Sequence, residues 1–107
     1  MDRALEGIRV IDFSWVIAGP ILTRCLGDFG AEVIKIESQT HPDWVRFLPP
    51  FKDGKPGINR SGMWANYHCN KYSVSLNINH PKGTDLIKRL VSHADVVVEN
   101  YVPGTMD

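Results

Sequence analysis

Few residues in this sequence have types and spacing that could do chemistry, and each has to be judged by its neighbours. Asp12 sits inside the apolar, β-branched run RVIDFS at 9–14. An acid there reads either as a catalytic carboxylate with a shifted pKa or as a structural acid hydrogen-bonded at a strand end, and the second reading is the expectation. Glu37 ends the run EVIKIE and lies 18 residues after Gly19, close to where a dinucleotide-binding fold places the acid that holds a ribose hydroxyl. The glycines argue against that cofactor. The turn SWVIAGP has a single glycine where GxGxxG needs three, so the backbone cannot approach a pyrophosphate in the usual way. His68 and Cys69 are adjacent, without a partner at metal-ligand spacing, so no metal site is expected. His41, His80 and His93 read as loop, cap and helix-surface residues. No nucleophile-elbow motif is present, and no Ser, His and Asp set can be assembled.

The elements that must position these residues are clearer. Residues 9–37, RVIDFSWVIAGPILTRCLGDFGAEVIKIE, read as strand, tight turn, helix and second strand. Pro20 suits the first helical position, where its missing N–H costs nothing, and Gly30 can stop the helix in the left-handed conformation. Ile21, Leu22, Cys25, Leu26 and Phe29 form an apolar stripe expected to face a sheet. The segment 38–60 carries Pro42, Pro49, Pro50 and Pro56 with Gly54 and Gly57 and is expected to be irregular. Loops of more than about 15 residues in a compact domain are usually functional. A short helix is expected over 61–67.

SVSLNIN at 73–79 alternates strictly, as a strand buried on one side does. His80 and Pro81 open a further helix whose stripe is Leu86, Ile87, Leu90, Val91 and Ala94, and VVVENY at 96–101 reads as a strand covered on both faces. Strands alternating with helices predict an α/β fold: a Rossmann-like parallel sheet with flanking helices, right-handed crossovers and strand order 3-2-1-4. Ligands of such sheets bind at the carboxyl ends of the strands, which here means 14–19, 37–38 and 100–102.

Length and composition fit one modest domain. A chain of 107 residues buries roughly 60–70% of its unfolded surface. With 43% hydrophobic and 22% charged residues it has ordinary globular composition, and no apolar run approaches the ~20 residues of a membrane span. Net charge is zero and the cations are dispersed, which argues against nucleic-acid or membrane-surface partners. The N-terminus lacks the layout of a secretory signal, giving a cytoplasmic expectation. Cys25 and Cys69 are expected to be buried free thiols. From the residues alone, the reading stops at a small nucleotide- or coenzyme-binding α/β module.

Four stretches carry a more specific signal: LEGIRVIDFS, AGPILTRCLGDFGAEVIKIE, NKYSVSLNINHPKG and ADVVVENYVPG. In this order and spacing they resemble the N-terminal part of the family III CoA-transferases, over residues 5–107. Asp43 and Arg46 fit the family's Gly-Asp-x-x-Arg with proline in place of glycine. The resemblance implies an enzyme that moves coenzyme A from an acyl-CoA to a carboxylic acid. An aspartate attacks the donor thioester, giving a mixed anhydride and CoA thiolate, which returns to form an aspartyl-CoA thioester. It also implies that this aspartate lies beyond Asp107, that residues 1–107 form a Rossmann-like CoA-binding segment inactive alone, and that the remainder of the fold lies elsewhere. Family members form interlocked homodimers, so a second copy and a complementing C-terminal segment are the protein partners the resemblance implies. The alternatives are a non-catalytic CoA- or nucleotide-binding module and a segment of an α-methylacyl-CoA racemase-like enzyme.

Carried over by position, the family's CoA contacts fall on Ile17, Ala18, Ser38, Leu76, Asn77, Ile78, Asn79, Asn100, Tyr101 and Val102, with no catalytic residue and no metal ligand in the chain. Ser38 stands where relatives often have an arginine for CoA phosphate. Lys71 and Arg46, which read as surface residues, could supply that charge instead. Trp15 and Ile17 replace a histidine and a glutamine of formyl-CoA transferase, which implies a bulkier or more apolar acyl substrate.

Overall fold

The computed structural model describes residues 2–107. The first strand, β1 (Arg9–Asp12), leads through a tight turn into helix α1 (Ala18–Asp28) and strand β2 (Glu32–Glu37). Two 3-10 turns, Trp44–Phe47 and Lys52–Gly54, punctuate the otherwise irregular 38–60 segment. Helix α2 (Gly62–Tyr67), strand β3 (Tyr72–Ser75), helix α3 (Pro81–Val91) and strand β4 (Val96–Val98) follow. The sheet is parallel with the expected order β3-β2-β1-β4.

Local chemistry explains most boundaries. Gly30 ends α1 at φ +107, and Ala31 N–H and Gly30 N–H return to the carbonyls of Leu26 and Gly27, a Schellman pair. Ser61 caps α2 by accepting from the Trp64 amide at 3.3 Å. His80 Nδ1 accepts from the Lys82 amide, and Pro81 occupies the first turn of α3. α1 begins two residues before Pro20, at Ala18.

Side chains alternate across the sheet. Ile11, Phe13 and Ile36 pack under α3 with Ile87, Leu90 and Val91. Val10 and Val33 line the opposite face with Ala31 and Leu26 of the α1 side. Asp12 and Lys35, partners in register on β1 and β2, are buried at 0% and 1% exposure.

Four expectations need correction. α1 turns Gly19, Thr23 and Gly27 inward, while Ile21, Leu22, Cys25 and Phe29 are exposed. The sheet beneath its first turns is polar because of Asp12, so a hydroxyl and small residues fit there and a broad apolar stripe does not. At Gly19 the helix comes so close that a Cβ would overlap the Ser14 side chain. Both cysteines are free but exposed. β4 is an edge strand with Val96 and Val97 about two-fifths exposed, so it is not covered on both faces. β3 and β4 are also shorter than the alternating run 73–79 and the continuous run 96–101 suggested, and residues 76–79 and 99–102 form connections at the strand ends. Among the described residues, no helix is long and apolar enough to cross a membrane.

Candidate functional site at the carboxyl ends of the strands

The turn after β1 is held by a layer of buried charges. Asp12 Oδ1 accepts from the Ser14 amide at 2.9 Å and from the Ser14 hydroxyl. Its Oδ2 accepts from Thr23 Oγ1 at 2.7 Å and Lys71 Nζ at 3.0 Å. Lys71 Nζ places its other two protons on the Pro20 carbonyl and His68 Nδ1, each at 3.1 Å. Three donors thus meet three acceptors, which is what burying an ammonium requires. Lys35 Nζ reaches the Ser14 carbonyl and, at 3.1 Å, Asp43 Oδ2. Asp12 is therefore the structural acid expected, whereas Lys71 is 1% exposed at its side chain and is no surface residue.

The electrostatics follow from burial and pairing. Burial alone would raise the Asp12 carboxyl, but Lys71, the Ser14 hydroxyl, Lys35 and Thr23 outweigh it and hold the group below its ordinary range. Glu37 behaves likewise: burial raises it, and Arg46, the Asp43 amide and Lys35 bring it below the usual value. Burial also pulls Lys71 down, against the attraction of Asp12. His68 is lowered to about 3, first by burial and then by Lys71 and Lys35, so it is neutral at physiological pH. Since Lys71 donates to Nδ1, the His68 proton is on Nε2, 3.8 Å from Asp43 Oδ2. Burial pushes the Tyr101 phenol up to about 12, helped by Asp12, Asp43 and Glu99.

A second cluster shapes the long loop. Arg46 forms a two-point ion pair with Glu37, at 2.8 and 2.7 Å, and donates to Ile58 O and Asn59 Oδ1 at 2.7 and 2.8 Å. Its guanidinium stacks 3.4 Å from the Trp64 ring centre. Arg46 is therefore buried and committed. Glu37 is likewise engaged, its Oε2 accepting from Arg46 and the Asp43 amide and its Oε1 from Arg46.

Above this layer lies a cavity of about 200 Å³ lined by Phe13, Trp15, Ile36, Glu37, Ser38, His41, Leu76, Asn77, Ile78, Asn79, Tyr101 and Thr105. Apolar walls from β2 and from the connections that follow the strands, edged by amides and hydroxyls, suit a planar polar ring or a short chain carrying amides. Trp15 and Tyr101 meet edge to face, 5.9 Å apart, at one side.

Six of the ten residues expected at the site, Ser38, Leu76, Asn77, Ile78, Asn79 and Tyr101, line this one cavity. Ile17 and Ala18 lie outside its wall, exposed at the start of α1, which has no side-chain cap. Asn100 has another engagement: its amide accepts from Trp15 N–H at 2.8 Å and donates to Trp15 O at 2.9 Å, fixing the turn as a neighbouring strand would. Val102 is 78% exposed and is not among the residues that line the cavity; its carbonyl accepts from the amide and hydroxyl of Thr105, which does line it. Lys35 escaped the sequence reading, which weighed His68 only as a metal ligand. The available signal for Lys35 was a lysine centred in EVIKIE, a run otherwise fit for burial, directly across from Asp12 in a parallel register. Among the described residues no three His, Cys, Asp or Glu side chains gather in a metal-binding cluster.

Comparison with known proteins agrees with this architecture. The chain is 43% identical over 105 residues, 97% of its length, to human succinyl-CoA:glutarate CoA-transferase, of which it covers 23%. It is 38% identical, over its full length, to formyl-CoA:oxalate CoA-transferase of Bradyrhizobium sp., covering 24% of that protein. The chain thus spans about a quarter of the length of these curated relatives. The crystal structure of a CAIB/BAIF family protein from Brucella suis superposes with TM-score 0.82 at 32% identity, over 100% of this chain and 28% of that one. The model of the family described as CoA-transferase family III matches residues 5–107. With a family match over nearly its whole length and a matching fold, the chain belongs to CoA-transferase family III.

Proposed function

We propose that this chain supplies the coenzyme-A-binding wall of an enzyme that transfers CoA between an acyl-CoA and a carboxylic acid. The observation that carries the reading is the cavity at the strand carboxyl ends, where Ser38, Leu76, Asn77, Ile78, Asn79 and Tyr101 converge. These positions come from three separate stretches of the chain and meet where open α/β sheets bind their ligands. In this reading the cavity takes a ring or amide portion of CoA. The exposed turn at Ile17 and Ala18 meets a charged portion through backbone amides that α1 leaves without partners. Neither Lys71 nor Arg46 supplies charge to phosphate, because each is buried and paired with Asp12 or Glu37.

The catalytic aspartate, which would carry the aspartyl intermediate, lies outside residues 1–107. Asp12 and Asp43 beneath the turn are 0% exposed, and their oxygens are filled by amides, hydroxyls and lysines. A carboxylate so enclosed cannot attack a thioester. The exposed apolar side chains of α1 and the open edge of β4 support further protein packing against this segment.

Titration calorimetry of the purified chain with CoA tests the binding half and should give saturable one-to-one binding; a folded chain that takes up no CoA would sink it. Incubation with succinyl-CoA and a panel of carboxylates tests the catalytic half. No transfer is expected, and sustained turnover would place the nucleophile inside this chain.

A further inference from the structure

Val16 sits in the left-handed region at φ 66, where a β-branched side chain crowds the following carbonyl. Nothing about valine favours this conformation, so neighbouring groups must hold it. Three do. The Ser14 carbonyl accepts from Lys35 Nζ. The Asn100 amide brackets the backbone of Trp15. The Val16 amide itself donates to Asp43 Oδ1 at 3.0 Å.

Of these contacts, the Asp43 bond is made at the strained residue itself, and Asp43 is fixed on every side. Its Oδ1 also accepts from the Val45 amide at 3.0 Å, capping the 3-10 turn that follows. Its Oδ2 takes Lys35 at 3.1 Å, and its own amide donates to Glu37 Oε2 at 2.7 Å. Glu37 is held in turn by Arg46. The carboxylate is thus a rigid post, built from β2 and the long loop, against which the turn is set.

We propose that Asp43 is a positioning residue of the site. It holds Val16 in the left-handed conformation and thereby aims the backbone amides of Ile17 and Ala18. Asp43 touches no ligand in this account; it works through Val16. The proposal rests on the reading of this turn as part of the CoA site, and its test separates the two.

The test uses Asp43→Ala, Asp43→Asn, Val16→Gly and the double variant Asp43→Ala/Val16→Gly, with CoA titration and amide hydrogen exchange followed by NMR. Asp43→Ala should lower CoA affinity about tenfold, the factor set by the cost of an unsupported left-handed valine. It should also release the Val16 amide to exchange while Ile11 and Ile34 in the sheet stay protected. Asp43→Asn keeps an oxygen for the Val16 amide and should bind within about threefold of the natural chain. Val16→Gly removes the strain, so the double variant should recover most of the lost affinity. A merely structural role predicts no such rescue, only losses that track global stability.

A folded Asp43→Ala chain with unchanged affinity and a still-protected Val16 amide would overturn the proposal. So would a double variant that binds no better than Asp43→Ala or fails to fold. Should Asp43→Ala alone fail to fold, a folded, CoA-binding double variant still supports the proposal. If the natural chain bound no CoA, the coenzyme reading would fall, and exchange at Val16 in Asp43→Ala would alone decide whether the clamp exists.

Discussion

Replacing Lys71 by methionine removes a cation whose three protons are all used inside the protein, on Asp12, the Pro20 carbonyl and His68. Methionine has similar length and fits the same channel, so the main loss is charge. Asp12, 0% exposed, then keeps Ser14 and Thr23 as hydrogen-bond donors but loses the ammonium that touches it. Breaking a buried pair from one side costs about 3–5 kcal/mol. Against the roughly 5–15 kcal/mol expected for a chain of this size, that is about a fifth of the total or more.

The cost should also depend on pH, and its sign follows from Asp12. In the natural chain the folded carboxyl titrates below its ordinary 3.8. Its contribution is therefore complete above that pH and is lost as pH falls through the folded value. Without Lys71, burial pushes the same carboxyl upward, and acid relieves the variant by protonating it in the folded state. His68, freed from Lys71's charge, accepts a proton more readily and adds to the trend. Urea unfolding followed by tryptophan fluorescence at pH 7.5 and 4.5 measures this. The difference between the natural and variant chains should be about 3–5 kcal/mol at the higher pH and clearly smaller at the lower. A difference under about 1 kcal/mol, or one equal at both pH values, would refute the picture of a buried, ionised Asp12 held by Lys71.

Further outcomes follow from the same geometry. His68 is kept neutral down to about pH 3, whereas an unfolded histidine takes its proton near 6.5. Stability is therefore complete above 6.5 and falls as pH drops toward the folded value, with a limiting slope of about 1.4 kcal/mol per pH unit. His68→Gln should flatten that slope between pH 6 and 4.5 in urea titrations, and a slope unchanged by the substitution would contradict the assignment. Gly19→Ala places a methyl group on the Ser14 side chain, which also bonds Asp12. Thermal unfolding should report a loss of about 1–3 kcal/mol, and an unchanged midpoint would mean that α1 is not seated as described.

Elements with local signatures were legible in the sequence. The Gly30 stop of α1, the His80 cap and the parallel order all follow from short-range chemistry and chain connectivity. The carboxyl-end cavity was legible too, since topology alone puts a ligand there. What could not be read is the buried polar layer. Lys71 finds Asp12 across 59 positions, and Asn100 finds Trp15 across 85, so no local pattern distinguishes these residues from surface ones. The same layer explains the error at α1. Apolar spacing proposed a face of Ile21, Leu22, Cys25, Leu26 and Phe29, of which Leu26 alone packs on the core; the helix is oriented by Thr23 reaching Asp12 and by two glycines that admit close packing.

The most direct test of the central claim is a CoA titration of the isotopically labelled chain, read at the backbone amides by NMR. The account predicts saturable shifts at Ile17 and Ala18, at residues 76–79 and at Tyr101, with the outer face of α1 around Leu22 and Phe29 unmoved. A folded chain whose spectrum does not respond to CoA, or responds only away from the strand carboxyl ends, would contradict it.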